Sequence, residues 1–225
     1  MKKKRNQNRN ILFVEGVDDL NVIAHLLKYH LGIKNVENIV HIENEQGVEN
    51  LLESIPVEIK NNSELQRFGI VVDADTNIEA RWQAIRNRLQ KINADVPEKP
   101  NPDGTIFNFI GKDEQEIRIG IWIMPDNKIP GILEDFVSFL IPEKDMLWDR
   151  AQSCIDQIPK EEFSFNIENK DLFSWQKKAE IHTWLAWQKE PGKPFGTAIS
   201  EKYLDPNTLY AQKLTDWLNK LFELW

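Results

Sequence analysis

Three apolar runs in this chain each end on a carboxylate, and no other feature limits the fold as much. "ILFV" (11–14) runs into Glu15. "GIVV" (69–72) runs into Asp73, with Asp75 two residues on. "IGIWIM" (119–124) reaches Asp126 after one proline. The runs are apolar without alternation, the pattern of strands buried on both faces. Between them the hydrophobic period lengthens to that of helices. Leu20, Ile23, Leu26, Leu27 and Leu31 mark a helix over 18–31, with Asp18 a plausible N-cap. Ile78, Trp82, Ile85, Leu89 and Ile92 form one narrow stripe of another. "VENIVHI" (36–42) reads as a further strand, and Gly47 opens a helix to about Ile59. Residues 106–127 read as a hairpin turning near Gly111–Asp113. Pro130 suits the first turn of a helix running to about Leu140.

Strands alternating with helices predict an α/β fold, a mainly parallel sheet flanked by helices. After residue 142 the pattern turns wholly helical, over about 143–157, 171–188 and 208–224. The expected organisation is therefore a basic flexible tail (1–10), an α/β domain (11–142) and a helical C-terminal cap packed on it (143–225). The tail holds five basic side chains and no acidic one. Residues 11–142 hold 12 basic and 22 acidic side chains. That acidic middle repels a phosphate backbone unless metal ions or a partner offset it. No apolar run approaches the roughly 20 residues of a membrane span. The start lacks the apolar segment of a secretory signal. Cys154 is the only cysteine, so neither an internal disulfide nor a cysteine-based zinc site is available. A cytoplasmic protein without membrane contact is expected.

In an open parallel sheet, the carboxyl ends of the strands line the ligand crevice. Glu15, Asp73, Asp75 and Asp126 are therefore expected to converge there. Clustered carboxylates repel and raise each other's pKa, and a divalent cation relieves both effects. Oxygen-only ligands suit magnesium or manganese better than zinc. Such an ion acts on phosphates as a Lewis acid and a template. Gly16, directly after the strand-end acid, permits close backbone approach or a positive φ. Asp19 is a candidate for a second metal, against the plainer reading of Asp18 and Asp19 as helix-terminal acids. Glu134 and Asp135 are placed to add a ligand, although dipole complement or a solvated face is the commoner outcome. Arg81 and Arg88 flank the apolar stripe and are candidates to hold a phosphate backbone, again against a solvated face. Trp175, Trp184 and Trp187 fall on one helix, where core packing outweighs base stacking.

"FVEGVDD", followed by "VVDAD" some 60 residues later, resembles the Toprim domain. That domain occurs in primases, type IA and II topoisomerases, ribosomal-RNA-maturing ribonucleases and OLD-family nucleases. Its signature is a glutamate in an E-G context at the end of the first strand, with a D-x-D after a later one. Glu15 matches the first element, and Asp73 with Asp75 the second. The E-G-x-x-D form, Glu15 to Asp19, is similar to that of the maturases and OLD nucleases. With "IWIMPDN", "GILEDF" and "HTWLAWQ", most of the chain also resembles an uncharacterised bacterial and archaeal family with a Toprim-like core. The resemblance implies a Toprim-like, Rossmann-like fold over roughly residues 11–140. It implies Glu15 as general acid or base and magnesium on the D-x-D acids, with Asp19 helping to hold a second ion.

The departures narrow the activity. The tyrosine module of topoisomerases and the zinc module of primases are not seen. No G-x-x-x-x-G-K-[ST] is present, so any ATPase would be a separate partner protein. The expected function is magnesium-dependent phosphodiester cleavage, nuclease-like, on DNA or RNA. The alternative is a non-catalytic module that binds nucleotide, nucleic acid or a partner ATPase. A third reading is phosphatase-like phosphoryl transfer. "DADTN" comes close to the D-x-D-x-T of dehalogenase-type phosphatases, but has Asn77 at the last position.

Overall fold

The computed structural model describes residues 8–159 and 169–224. Most of the basic tail, residues 1–7, lies outside them. The chain runs β1 (Asn10–Val14), α1 (Val17–Tyr29), β2 (His41–Asn44), α2 (Val48–Asn61), β3 (Arg67–Asp73), α3 (Ile78–Gln90), β4 (Thr105–Ile110) and β5 (Glu116–Met124). It continues through α4 (Leu133–Ser138), α5 (Met146–Asp156), α6 (Asn169–Ala186), α7 (Phe195–Ser200) and α8 (Leu209–Phe222). The strands form one five-stranded sheet in the order β2-β1-β3-β5-β4. All neighbours are parallel except β4, which pairs antiparallel with β5 through the hairpin. This is a mainly parallel, Rossmann-like α/β sheet with helices on both faces.

Strand periodicity explains the two layers of helices. On β1, Ile11 and Phe13 point to one face and Leu12 and Val14 to the other, and all four are buried. The first pair packs with Leu51, Leu52, Ile55 and Ile59 of α2 and with Trp82, Ile85 and Leu89 of α3. The second pair packs with α1, α4, α7 and α8. Residues from the C-terminal helices thus share one hydrophobic core with the sheet.

Two strand glycines let α8 reach the sheet. Gly69 of β3 and Gly120 of β5 are direct neighbours across the ladder. A Cβ on Gly120 would stand 2.5 Å from Leu221 Cδ2, and one on Gly69 would stand 3.1 Å from it. Trp217 lies beside them, fully buried, and its Nε1 donates to the Thr105 carbonyl at 3.3 Å. Glycine inside a strand marks such close approach.

Several local expectations shift. The segment 36–42 is a short 3-10 turn (Val36–Asn38) before β2, not one strand. Pro130 precedes α4, whose N-cap is Ile132. The N-cap of α1 is Gly16, so Asp18 sits inside the first turn. Helix α7 was not anticipated. It lies against α1, where a Cβ on Gly196 would stand 2.9 Å from His25 Cδ2. Trp184 is fully buried and packs in the core, whereas Trp187 is 41% exposed.

Candidate functional site

The site is built from the carboxyl ends of the two central strands. Glu15 follows β1 directly, and Asp73 is the last residue of neighbouring β3. The Asp73 backbone N–H donates to Glu15 Oε1 at 2.8 Å, which locks the two strand ends together. Gly16 then turns the chain into α1 with an extended φ of −134°, so no left-handed backbone is needed there. What the position does require is space, because a Cβ would stand 3.2 Å from Asp19 Oδ2.

Asp19 plays two parts. Its Oδ2 accepts from the Gly16 N–H at 3.1 Å, the one half of a capping box that a glycine N-cap allows. Its Oδ1 is buried and has no hydrogen-bond partner among the described residues. Asp73 Oδ1 and Glu134 Oε2 share that condition. Glu134 comes from the first turn of α4. Capping there falls to Asp135, whose Oδ2 accepts from the Ile132 N–H at 2.9 Å. Glu134 is instead only 6% exposed, and its Oε1 accepts from Lys178 Nζ of α6 at 2.5 Å.

Glu15, Asp19, Asp73 and Glu134 line one pocket of about 450 Å³. Lys178, Gly16, Asp18, Asn44, Gln46 and Gly47 complete much of its wall. Burial raises the Glu15 pKa despite the Asp73 N–H and the charge of Arg81. Burial, then repulsion from Glu15, pushes Asp19 up to about 7. Asp73 stands well above the usual carboxylate range, through burial first and then the charges of Asp19, Glu15 and Glu134. For Lys178, burial works downward, but the Glu134 hydrogen bond and the acids around it win and raise its pKa. The cluster is short of positive charge, and protons make up part of the shortfall near neutral pH.

Not every expected ligand joins. Asp75 adopts a left-handed φ of 53°, and its half-exposed side chain turns to Arg81 NH2 at 2.5 Å. Its charge still reaches Glu15 and raises that pKa, but Asp75 does not border the pocket. Asp126 is a correction of the same kind. Its Oδ1 accepts from the N–H groups of Lys128 (3.0 Å) and Ile129 (3.2 Å), closing a turn after β5 away from the pocket. Arg81 braces the strand end, its Nε donating to the Asp73 carbonyl at 2.7 Å. Arg88, two turns along α3, does not border the pocket. Lys178, Asn44 and Gln46 carried no motif that sequence reasoning could have used.

The donor chemistry fits a hard divalent cation, with carboxylate oxygens only and, among the described residues, one unpartnered oxygen on each of three acids that line the pocket. Among the described residues, no three His, Cys, Asp or Glu side chains are already gathered to hold a metal ion. Magnesium commonly binds through one or two carboxylates and keeps waters or substrate oxygens for the rest. An acidic pocket at the strand ends of a parallel α/β sheet places the protein in the class of Rossmann-like proteins with a carboxylate-lined crevice. More narrowly, the chain belongs to the family described as "Protein of unknown function (DUF3226)", whose model matches residues 9–223. No curated protein and no solved structure matches it. No helix among the described residues is long and apolar enough to cross a membrane.

Proposed function

We propose that this protein is a Toprim-like, metal-assisted phosphodiester hydrolase acting on DNA or RNA. One observation carries the reading most of the way. Asp19, Asp73 and Glu134 line one pocket directly beside Glu15, and each keeps one buried carboxylate oxygen without a hydrogen-bond partner among the described residues. Leaving such groups unsatisfied costs stability, and evolution tolerates that chiefly where a ligand supplies the partner. Asp73 and Asp19 would hold magnesium or manganese, with Glu134 in reach. Asp75 and Asp126 would remain outside that set. The bound ion would supply Lewis-acid polarisation of a phosphate oxygen and a more acidic water. Glu15 has a raised pKa and one oxygen fixed by the Asp73 N–H, so it is suited to take a proton from the attacking water and return it to the leaving oxygen. The Lys178 ammonium would offset charge on the phosphate.

The test is a cleavage assay on single- and double-stranded DNA and RNA with magnesium or manganese. Wild type should cleave at least one of them, and Glu15→Gln should lose about 10²-fold or more. Equal cleavage by the variant would remove Glu15 from the chemistry.

One observation favours a second reading, a binding module for nucleotide, nucleic acid or a separate ATPase. Lys178 already occupies Glu134, and no three-acid metal set is closed among the described residues. Wild type inert on every substrate, yet binding one of these ligands, would select that reading.

A further inference from the structure

The sheet has two edges, and they are guarded differently. Edge strand β2 is four residues long, holds Glu43 and is followed directly by Glu45. Shortness and charge keep an edge from pairing with other chains. Edge strand β4 has neither protection. Its six residues, "TIFNFI" (105–110), include no charged side chain and no proline. Its ladder with β5 runs without a bulge from Thr105 opposite Ile121 to Ile110 opposite Glu116.

The hydrogen bonds fix which backbone groups β4 leaves open. At the hairpin end, the Gly111 N–H donates to the Gln115 carbonyl at 2.8 Å. Antiparallel ladders alternate, so Phe109, Phe107 and Thr105 turn their N–H and C=O groups to β5, and Ile110, Asn108 and Ile106 turn theirs away from it. The facing strand agrees. Arg118, opposite Asn108, donates its N–H away from β4, to the Gln66 carbonyl at 2.9 Å. Among the described residues, no hydrogen bond reaches the backbone of Ile106, Asn108 or Ile110. Asn108 is exposed and Ile110 is 61% exposed, so this edge stands open.

We propose that β4 is a self-association edge, on which a second copy of this chain lays its own β4 antiparallel about a two-fold axis at Asn108. The open groups select this occupant and this register. Asn108 then faces Asn108 of the second copy, and Ile106 faces Ile110 of the second copy. These are the residues with open N–H and C=O groups, so the facing pairs exchange about six hydrogen bonds and fill the edge. Between them Phe107 meets Phe109 of the second copy. Aromatic and β-branched cross-strand pairs stabilise a sheet. No charged side chain on β4 stands opposite another, although the chain carries a net charge of −8. One strand pair covers less than the roughly 1,600 Å² of a standard interface, which puts the dissociation constant in the micromolar range. This pairing is independent of the hydrolase reading.

The test is sedimentation velocity of the full chain from about 1 to 500 μM in about 0.15 M salt. Wild type should pass from monomer to dimer across that range. Asn108→Lys and Asn108→Asp each set like charges opposite one another at the two-fold axis, and each should weaken the dimer about fivefold or more. Both variants suit the monomer. Asn108 is exposed, and its Nδ2 donates to Glu116 Oε1 at 3.1 Å, a bond that a lysine can replace and that costs little to lose at the surface. Their circular dichroism should match wild type. An equimolar mixture of the two variants should regain association, because opposite charges then meet. Wild type monomeric at every concentration would overturn the proposal and leave the edge to an extended segment of another protein. A dimer weakened by neither variant, or no recovery on mixing, would overturn pairing through β4.

Discussion

The two ends of the sheet treat charge in opposite ways. At the amino end, Arg67 of β3 and Arg118 of β5 are direct neighbours in register. Glu223, just past α8, pairs with both, through Arg67 NH2 and through Arg118 NH1 at 3.1 Å. Its side chain is 58% exposed. Two positive charges and one negative sit where water screens them, and the arrangement staples the end of α8 to the sheet. At the carboxyl end, four acids share Lys178 and keep three buried oxygens without partners among the described residues. A fold can hold charges at its surface cheaply, whereas the second arrangement works against stability. That difference separates a structural ion pair from a pocket whose charges the fold leaves uncompensated.

The sharpest way to break the comparison is pH. Asp19 titrates near 7 in the folded chain against 3.8 for an ordinary aspartate. Asp73 and Glu15 are raised as well. The folded state therefore binds these protons more tightly than the unfolded one. The stabilisation from Asp19 is full below about pH 4 and is lost as pH rises through about 7, and Asp73 and Glu15 act in the same direction. Chemical denaturation of the metal-free protein should show a loss on the order of a few kcal/mol from this cluster across that window. Asp19→Asn retains an oxygen that can cap α1 and should flatten much of the slope. A slope unchanged in the variant would mean that the acids do not share one pocket electrostatically.

A smaller effect is expected from Lys178→Met. Removing the ammonium leaves Glu134 without its partner, so the metal-free protein should lose about 1–2 kcal/mol at pH 7.5. A cation should then bind about fivefold more tightly, because a competing positive charge is gone. Weaker cation binding in the variant would show instead that Lys178 helps to shape the metal site. The smallest effect belongs to the amino end. Glu223→Gln should cost less than about 1 kcal/mol, and the difference from wild type should fade in high salt. A larger loss that persists in salt would erase the contrast between the two ends.

Much of this was legible from short range. The apolar strands ending on Glu15 and Asp73 fix both the sheet centre and the heart of the pocket, because strand order and the burial of both faces leave few alternatives. The stripe from Ile78 to Leu89 likewise lies on the buried side of α3. Asp75 and Asp126 misled because proximity to a strand end is not direction. A left-handed φ at Asp75 and a tight turn at Asp126 point their carboxylates elsewhere. Glu134 read as a solvated helix-start acid until Asp135 took the capping role. Lys178 stands 44 residues beyond Glu134, and no local pattern connects them. The strand glycines Gly69 and Gly120 drew no reading from the sequence, and only the fold shows that α8 approaches the sheet there.

The most direct test of the central claim is a manganese titration by calorimetry at pH 7.5, comparing wild type with Asp19→Asn/Asp73→Asn. Wild type should bind manganese and release protons as it does so, because the ion displaces them from raised carboxyls. The double variant should bind no manganese while remaining folded and at least as stable without metal. Absence of manganese binding by wild type, or equal binding by the variant, would contradict the claim that this pocket is a cation site.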